Sequence, residues 1–596
     1  MKHLISGELV NAVPDHPESY PDHTLLLKGL EAPFDQEALI EAADLFSAFL
    51  SEEKIPSEPE GSSQTQALKD IAGWLKADHL RLKIKREFGI GAGFKRPTDL
   101  SKLDAQSEGM EAWYPLGVLL HIAPSNAPGV GFLSVMEGLL SGNVNLLKES
   151  RNCQGFSLEL IRSFLERSHL PWLRQMVHVL TFDSHQSDLL EALCKLCDGV
   201  AVWGGDSAVS SVKNAAKNHC RVIEWGPKIS FSLIANEKIL STDVARDLAL
   251  VISKENQLTC TSPQLVFLET DNPDHCKKFA KNLIAAFESV ESDFPAPAPD
   301  LREQAEITNA LELCRLGSVD GQQFGLETKS GRARVLLDDE KGLQASPLYR
   351  TVRVRPLRSA DLIAGLRDRR HVLQTAGLAC SKERLGQLSH QLFKAGVLRV
   401  TSLPGMIASY SGEPHDGVYA LQRYSRRVSL THPDQPRGLS MASMMDGGSY
   451  SSLGSGSPMQ KKDFQNQSYA PQSEIWFKSG GSSGEPAVSP FTWDEYHHQM
   501  ECASEGLLAA GFEPRTELSA NLFYGGGMYG GFLSFFTILE KLRARHLPIG
   551  ADQDYGKVAD LLMRFRVSTL LGMPGYLTEL LRSQEEKLRF GNLFFA

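Results

Sequence analysis

From Leu116 onward the chain alternates short apolar runs with segments whose apolar residues recur at helical spacing. Leu116–Ile122 is a near-continuous apolar run, followed by a helix-like segment over Phe132–Leu140, a second run over Asn143–Leu147 and a second helix over Phe156–Arg167. Met176–Phe182, Gly199–Trp203 and Val222–Trp225 continue the strand series, with helical stretches between them. Strands apolar on both faces and separated by ~12-residue helices lead to parallel crossovers, so the pattern predicts a doubly wound parallel sheet. Such sheets bind ligands beyond their strand C-termini. Polar or glycine-rich segments follow four of these strands: Pro124–Pro128, Lys148–Ser150, Gly204–Ser207 and Glu224–Lys228.

A further polar run, Lys254–Gln264, lies between a helix-like segment and the strand-like Leu265–Leu268, and carries Cys260 between Thr259 and Thr261. Hydroxyls and backbone N–H groups around a sulfur suit a thiolate and a developing oxyanion, so Cys260 is the candidate nucleophile. Taken singly, each feature also has an ordinary structural use. Cys260 could be a small turn residue, Asn126 between prolines a turn, Lys148 a solvated charge and Gly204–Ser207 a helix cap.

Composition narrows the class without choosing a reaction. A chain of 596 residues, 42% hydrophobic and 22% charged, has room for several packed units. The net charge of -10 is spread without acidic or basic blocks, which argues against nucleic acid or an anionic membrane as the main partner. No apolar stretch of ~18 residues and no signal-like start is found, so no membrane span and a cytoplasmic location are expected. Nine scattered cysteines form no disulfide framework. Cys194 and Cys197 make one C-x-x-C on a helical apolar face, read as structural, and no metal is expected.

The order Pro-x-Asn-x-Pro around Asn126, Gly142-Asn143-x-Asn145-x-x-Lys148, Gly-Gly-Asp-Ser at 204–207, Glu-x-Gly-x-Lys at 224–228 and Thr-Cys-Thr at 259–261 resembles the aldehyde dehydrogenase superfamily. It is most similar to the acyl-thioester reductase branch, LuxC-type, over roughly Trp113 to Val428. The separations agree, with 134 positions from Asn126 to Cys260, 36 from Glu224 to Cys260 and 22 from Asn126 to Lys148. Gly377–Ala379 after a strand, Pro404-Gly405 and His415–Gly417 also fit, the last two suiting turns better than catalysis.

The resemblance implies a doubly wound nucleotide-binding domain joined to an α/β catalytic domain. It assigns Cys260 as nucleophile, Asn126 with the Cys260 N–H as oxyanion donors, and Glu224 to tuning the sulfur or moving a proton. Lys148 and Ser150 would meet the adenosine ribose or its 2′-phosphate, and Gly204, Gly205, Asp206 and Ser207 the pyrophosphate, with Gly226 nearby. NADPH is favoured over NADH by Lys148, Ser150 and Arg151, although Glu149 pulls the other way. The resemblance also implies a homo-oligomer.

After Val428 the periodicity stops. Residues 431–472 are rich in Ser, Gly, Pro, Asp and Gln and read as a linker, dividing a reductase over 1–430 from a unit over 473–596. Within the first part, about 1–240 would hold the N-terminal region and nucleotide domain, 241–400 the catalytic domain and 401–430 a C-terminal segment. In the second, strand-like Ile475–Phe477 runs into Ser479, Gly480, Gly481, Ser482, Ser483 and Gly484, a loop able to cradle phosphate oxygens, and a helix follows from Thr492. With Asn521–Gly531 and Leu571–Tyr576, this resembles the first half of an adenylate-forming ligase of the phenylacetate-CoA ligase and acyl-protein synthetase (LuxE-type) branch. It departs at Gly480, where Ser is frequent, and at Ala487, where Lys is. A truncated ligase, or one completed by another chain, is expected, with ATP its cofactor if complete.

Three functions compete on this basis. The first is reduction of a fatty acyl-CoA or acyl-protein thioester to an aldehyde, served by an acyl-activating or transferase partner. The second is aldehyde oxidation on the same fold. The third is a non-catalytic component of a fatty-acid reductase complex.

Overall fold

The computed structural model describes residues 2–11, 20–52, 63–89, 101–102, 110–124, 129–149, 154–183, 186–317, 324–338, 342–431, 473–478 and 486–589. Two compact units are formed, one from residues 1–83 with 115–424, the other from 84–114 with 425–596.

The larger unit contains two seven-stranded sheets. In the first, the spatial order is Glu8–Asn11, Lys2–Ile5, Val177–Thr181, Val144–Glu149, Val118–Ile122, Gly199–Trp203, Arg221–Trp225. The last five are parallel, as the uninterrupted apolar runs require, and Val118–Ile122 is buried along its whole length. The strand order reverses between Val118–Ile122 and Gly199–Trp203, which puts the switch point beside Gly204. The hairpin Lys2–Ile5/Glu8–Asn11 adds antiparallel to the edge strand. Two buried histidines secure it: Thr181 N donates to His3 Nδ1 and Ser6 N donates to His178 Nδ1, both at 3.1 Å.

The second sheet has the order Phe324–Glu327, Arg334–Leu337, Thr351–Pro356, Pro263–Leu268, Ile229–Ile234, Leu373–Ala379, Arg399–Thr401. All its pairings are parallel except the first. Gly377–Ala379, expected after a strand, lies inside Leu373–Ala379. A Cβ at Gly377 would stand 2.3 Å from Met406 Sδ, so any larger residue there would force that side chain to move. Helices Thr242–Glu255 and Pro273–Val290 cover one face, with Phe279, Leu283 and Phe287 buried against Val335 and Val352. The other face packs Phe231, Phe267 and Leu373 with Leu388 and Leu392 of helix Lys382–Ala395. Each fully buried apolar side chain of this size contributes roughly 1.5–3 kcal/mol.

In the smaller unit, Leu518–Leu522 pairs in parallel with Arg545–Pro548 and Thr569–Gly572. Ile475–Lys478 pairs antiparallel with Val488–Phe491, and Thr492 caps helix Trp493–Ala509 in a reciprocal capping box with Glu495. The phosphate-loop residues Ser479–Gly484 lie outside the described residues. Among the described residues no helix is long and apolar enough to cross a membrane.

Candidate active site

The nucleophile turn is built at the end of helix Thr242–Glu255. Asn256 and Gln257 follow in left-handed conformation, with φ of 50° and 62°. Two consecutive non-glycine residues there are costly and persist only when neighbours hold them. Arg350, fully buried, does so from the adjacent sheet, donating Nε to Asn256 Oδ1 at 2.7 Å and Nη2 to the carbonyls of Ser253 at 3.1 Å and Phe294 at 2.7 Å. Gln257 Nε2 donates to Pro263 O at 3.0 Å, and Ser262 N to Thr259 O at 3.1 Å. Residues 258–262 are thereby closed into a loop at the N-terminal end of strand Pro263–Leu268.

Cys260 is exposed at that loop. Ser230 Oγ donates to its carbonyl at 2.6 Å, and Gln374 Nε2 lies 3.5 Å from its sulfur. Protein massed around the sulfur pushes the thiol pKa up, and the Asp416 carboxylate adds to that. The Gln374 amide and the backbone N–H groups of Cys260 and Thr261 oppose it without cancelling it. Gln374 Nε2 also donates to Asp416 Oδ1 at 2.9 Å, and Asp416 Oδ2 is 3.6 Å from His415 Nδ1. The His415 ring centroid lies 5.2 Å from that of Trp203 and 5.0 Å from that of Trp225, which end two strands of the first sheet. His415 and Asp416, expected as a mere turn, therefore connect the two sheets beside the sulfur.

Behind the tryptophans runs a buried polar chain. His121 Nδ1 is 2.7 Å from Ser134 Oγ and its Nε2 is 2.9 Å from Asn145 Oδ1. Trp203 Nε1 donates to Ser134 Oγ and Trp225 Nε1 to Tyr424 OH, both at 3.1 Å. Burial pushes the His121 pKa down to about 4, so the ring is neutral, while burial raises that of Tyr424.

Glu224, assigned above to the sulfur, is the penultimate residue of strand Arg221–Trp225. Its side chain is exposed and its Oε1 lies 2.7 Å from Lys213 Nζ, on the helix that follows Gly205. Strand alternation explains this, because Trp225, the next residue, takes the buried face. Lys228 donates instead to His371 O at 3.0 Å.

Gly204 and Gly205 precede helix Asp206–Ala216, whose N-terminus has no side-chain cap. Gly205 has φ of -74° and ψ of 175°, open to any residue, yet a Cβ there would meet nothing within 4 Å, and the same space lies at Gly226. An uncapped helix start with open room before it suits a pyrophosphate, with Asp206 and Ser207 in its first turn. Lys148 is the penultimate residue of strand Val144–Glu149, separated from Gly199–Trp203 by Val118–Ile122, and its Nζ lies 5.5 Å from the Phe182 ring centroid. Glu149 is buried and accepts from Ser157 N at 2.6 Å, capping helix Phe156–Arg167. Asn126 and Ser150 lie outside the described residues. Cys194 and Cys197 are buried in the core of the first sheet, and among the described residues no group of three or more His, Cys, Asp or Glu side chains is placed to hold a metal ion.

Comparison with known proteins shows the family and the fold. The model of the family "Acyl-CoA reductase (LuxC)" matches residues 40–427. The long-chain acyl-protein thioester reductase of Vibrio harveyi is 24% identical over 326 residues, 54% of this chain and 65% of that one, so the chain spans just under two thirds of that relative. Phenylacetate-coenzyme A ligase of Escherichia coli is 27% identical over 110 residues, 18% of this chain and 24% of that one. The aldehyde dehydrogenase C mutant of Pseudomonas syringae, solved with NAD+ and octanal, superimposes with a TM-score of 0.52 at 12% identity, covering 73% of this chain and 98% of that one. The fold is therefore that of the aldehyde dehydrogenases.

Proposed function

The chain belongs to the acyl-CoA reductase (LuxC) family, and from that premise we propose that it reduces long-chain acyl thioesters to aldehydes through an acyl-enzyme on Cys260. The observation that carries this is the placement of Cys260: an exposed residue on a turn tied down by Arg350 and Gln257, with an amide donor at its sulfur.

The Cys260 sulfur attacks the thioester carbonyl. Its own backbone N–H, with the Asn126 amide, receives the oxyanion. The C–S bond to the carrier breaks, the proton of the Cys260 thiol passes to the departing thiolate, and the acyl group remains on Cys260. Hydride for the acyl carbon is the chemistry a reduced nicotinamide supplies when bound. The resulting alkoxide re-forms a carbonyl, the bond to the Cys260 sulfur breaks, the aldehyde leaves, and the thiolate regains a proton from solvent.

Gly204, Gly205 and the N-terminus of helix Asp206–Ala216 would hold the pyrophosphate, and Lys148 the adenosine ribose. NADPH is favoured. Lys148 and Ser150 support that preference, against the pull of Glu149, one of whose carboxylate oxygens accepts from Ser157 N. An aldehyde oxidiser needs a base that activates water against the acyl-enzyme, and Glu224, in the position for one, is held by Lys213. Completed by another chain, the ligase-like segment would activate carboxylates with ATP at Ser479–Gly484, upstream of reduction, a reading supported by its likeness to phenylacetate-coenzyme A ligase.

The test is NADPH oxidation with a series of acyl-CoA lengths. The parent should consume NADPH and form aldehyde, and Cys260→Ala should do neither while still binding NADPH. Aldehyde formation by the alanine variant at near-parental rate would refute the assignment.

A further inference from the structure

Gln374 is the second residue of strand Leu373–Ala379, which pairs in parallel with the strand opened by Ile229 and Ser230. Its amide has one arrangement that satisfies its neighbours. The Asp416 carboxylate offers acceptors alone when ionised, so the NH2 group must face it, at 2.9 Å. Gln374 Oε1 is then turned toward Ser230 Oγ, 3.4 Å away, and that hydroxyl already donates to Cys260 O. The second N–H of the same amide is left for the Cys260 sulfur at 3.5 Å. Asp416 is itself fixed, with its side chain buried and its backbone left-handed at φ of 51°. An amide with both hydrogens assigned, one to a buried carboxylate and one to a thiol, is a preorganised donor.

Given the acyl-enzyme chemistry proposed above, we propose that Gln374 is a positioning residue for the nucleophile: aimed by Asp416, its amide holds the Cys260 sulfur and stabilises negative charge on it. Asp416 is the charged group acting on the sulfur, with His415 behind it. The two neighbours oppose one another, since the carboxylate disfavours a thiolate and the amide favours it. The amide lessens the cost of a thiolate at the two moments it is needed, attack on the thioester and expulsion of the aldehyde, against burial and the carboxylate that oppose it.

The experiment is the pH profile of Cys260 alkylation by iodoacetamide in the full-length chain, read by peptide mass spectrometry, for the parent, Gln374→Met and Asp416→Asn. Gln374→Met should move the midpoint to higher pH and slow alkylation at neutral pH by about threefold or more. Asp416→Asn should move it to lower pH, because the charge is gone while an amide oxygen still accepts from Gln374. Simple loosening of the site would lower the midpoint in both variants by relieving burial. An unchanged or lowered midpoint in Gln374→Met overturns the proposal; if that variant does not fold, an unchanged or raised midpoint in Asp416→Asn does so. Acyl labelling by acyl-CoA runs in parallel. Failure to label parental Cys260 with the opposite shifts intact refutes thioester chemistry alone, whereas labelling without the shifts refutes Gln374 alone.

Discussion

Arg350 Nε donates to Asn256 Oδ1 across 2.7 Å, tying the sheet strand Thr351–Pro356 to the turn that presents the nucleophile four residues later. The guanidinium also serves two carbonyls of the same neighbourhood, so its removal leaves three acceptors, one buried and two half-buried, without this donor. Arg350→Met should therefore destabilise the protein by about 2–4 kcal/mol and lower reductase turnover in what remains folded. Denaturant unfolding checks the first part; a loss below ~1 kcal/mol would show that the turn holds itself.

Gly205 provides a clean test of the nucleotide cradle. Its backbone is extended and a Cβ would touch nothing, so the fold does not need glycine there. Gly205→Val should keep the parental melting temperature within a few degrees and weaken NADPH binding by roughly tenfold or more, measured by calorimetric titration. Unchanged affinity would place the pyrophosphate elsewhere.

The buried histidines set the acid limit. His121 and His178 have folded pKa values of about 4 against the ordinary 6.5, and burial lowers that of His3 as well. The unfolded chain binds more protons across that interval. Stability is thus full above about pH 6.5 and is lost as pH falls toward 4, by on the order of 3 kcal/mol for each fully buried ring. Urea midpoints measured from pH 7.5 to 4.5 should fall steadily, less so in His121→Gln. A flat profile would mean that these rings are already protonated in the fold.

Glu224 is paired in solvent with Lys213, an exposed ion pair worth about 0–1 kcal/mol. Glu224→Gln should reduce reductase kcat by less than about threefold. A loss of a hundredfold or more would restore it to direct catalysis beside Cys260.

Much of the architecture was legible in the chain. Gly199–Trp203 and Phe156–Arg167 form over the residues their apolar pattern predicts, because a strand covered on both faces and an amphipathic helix each leave a periodic signature. Cys260 and the Gly204-Gly205 turn were legible for a related reason, as polar breaks at strand ends. The partners of the sulfur were not. Gln374 lies 114 positions beyond Cys260 without a local pattern, and Asp416, a further 42 on, shows only a turn, since their contact with the sulfur depends on which strands become neighbours. The pairing of Glu224 was hidden likewise, because Lys213 reaches it from the preceding helix. The N-terminal hairpin leaves no signature of its own in the chain, because its partner edge, Val177–Thr181, is fixed only when the sheet forms.

The most direct test of a covalent thioester route is intact-protein mass spectrometry after mixing with a long-chain acyl-CoA in the absence of nicotinamide nucleotide. The account predicts a mass increase of one acyl group, mapping to the Cys260 peptide, absent in Cys260→Ala and discharged as aldehyde on adding NADPH. No adduct, an adduct at another residue, or one that NADPH leaves in place would contradict it.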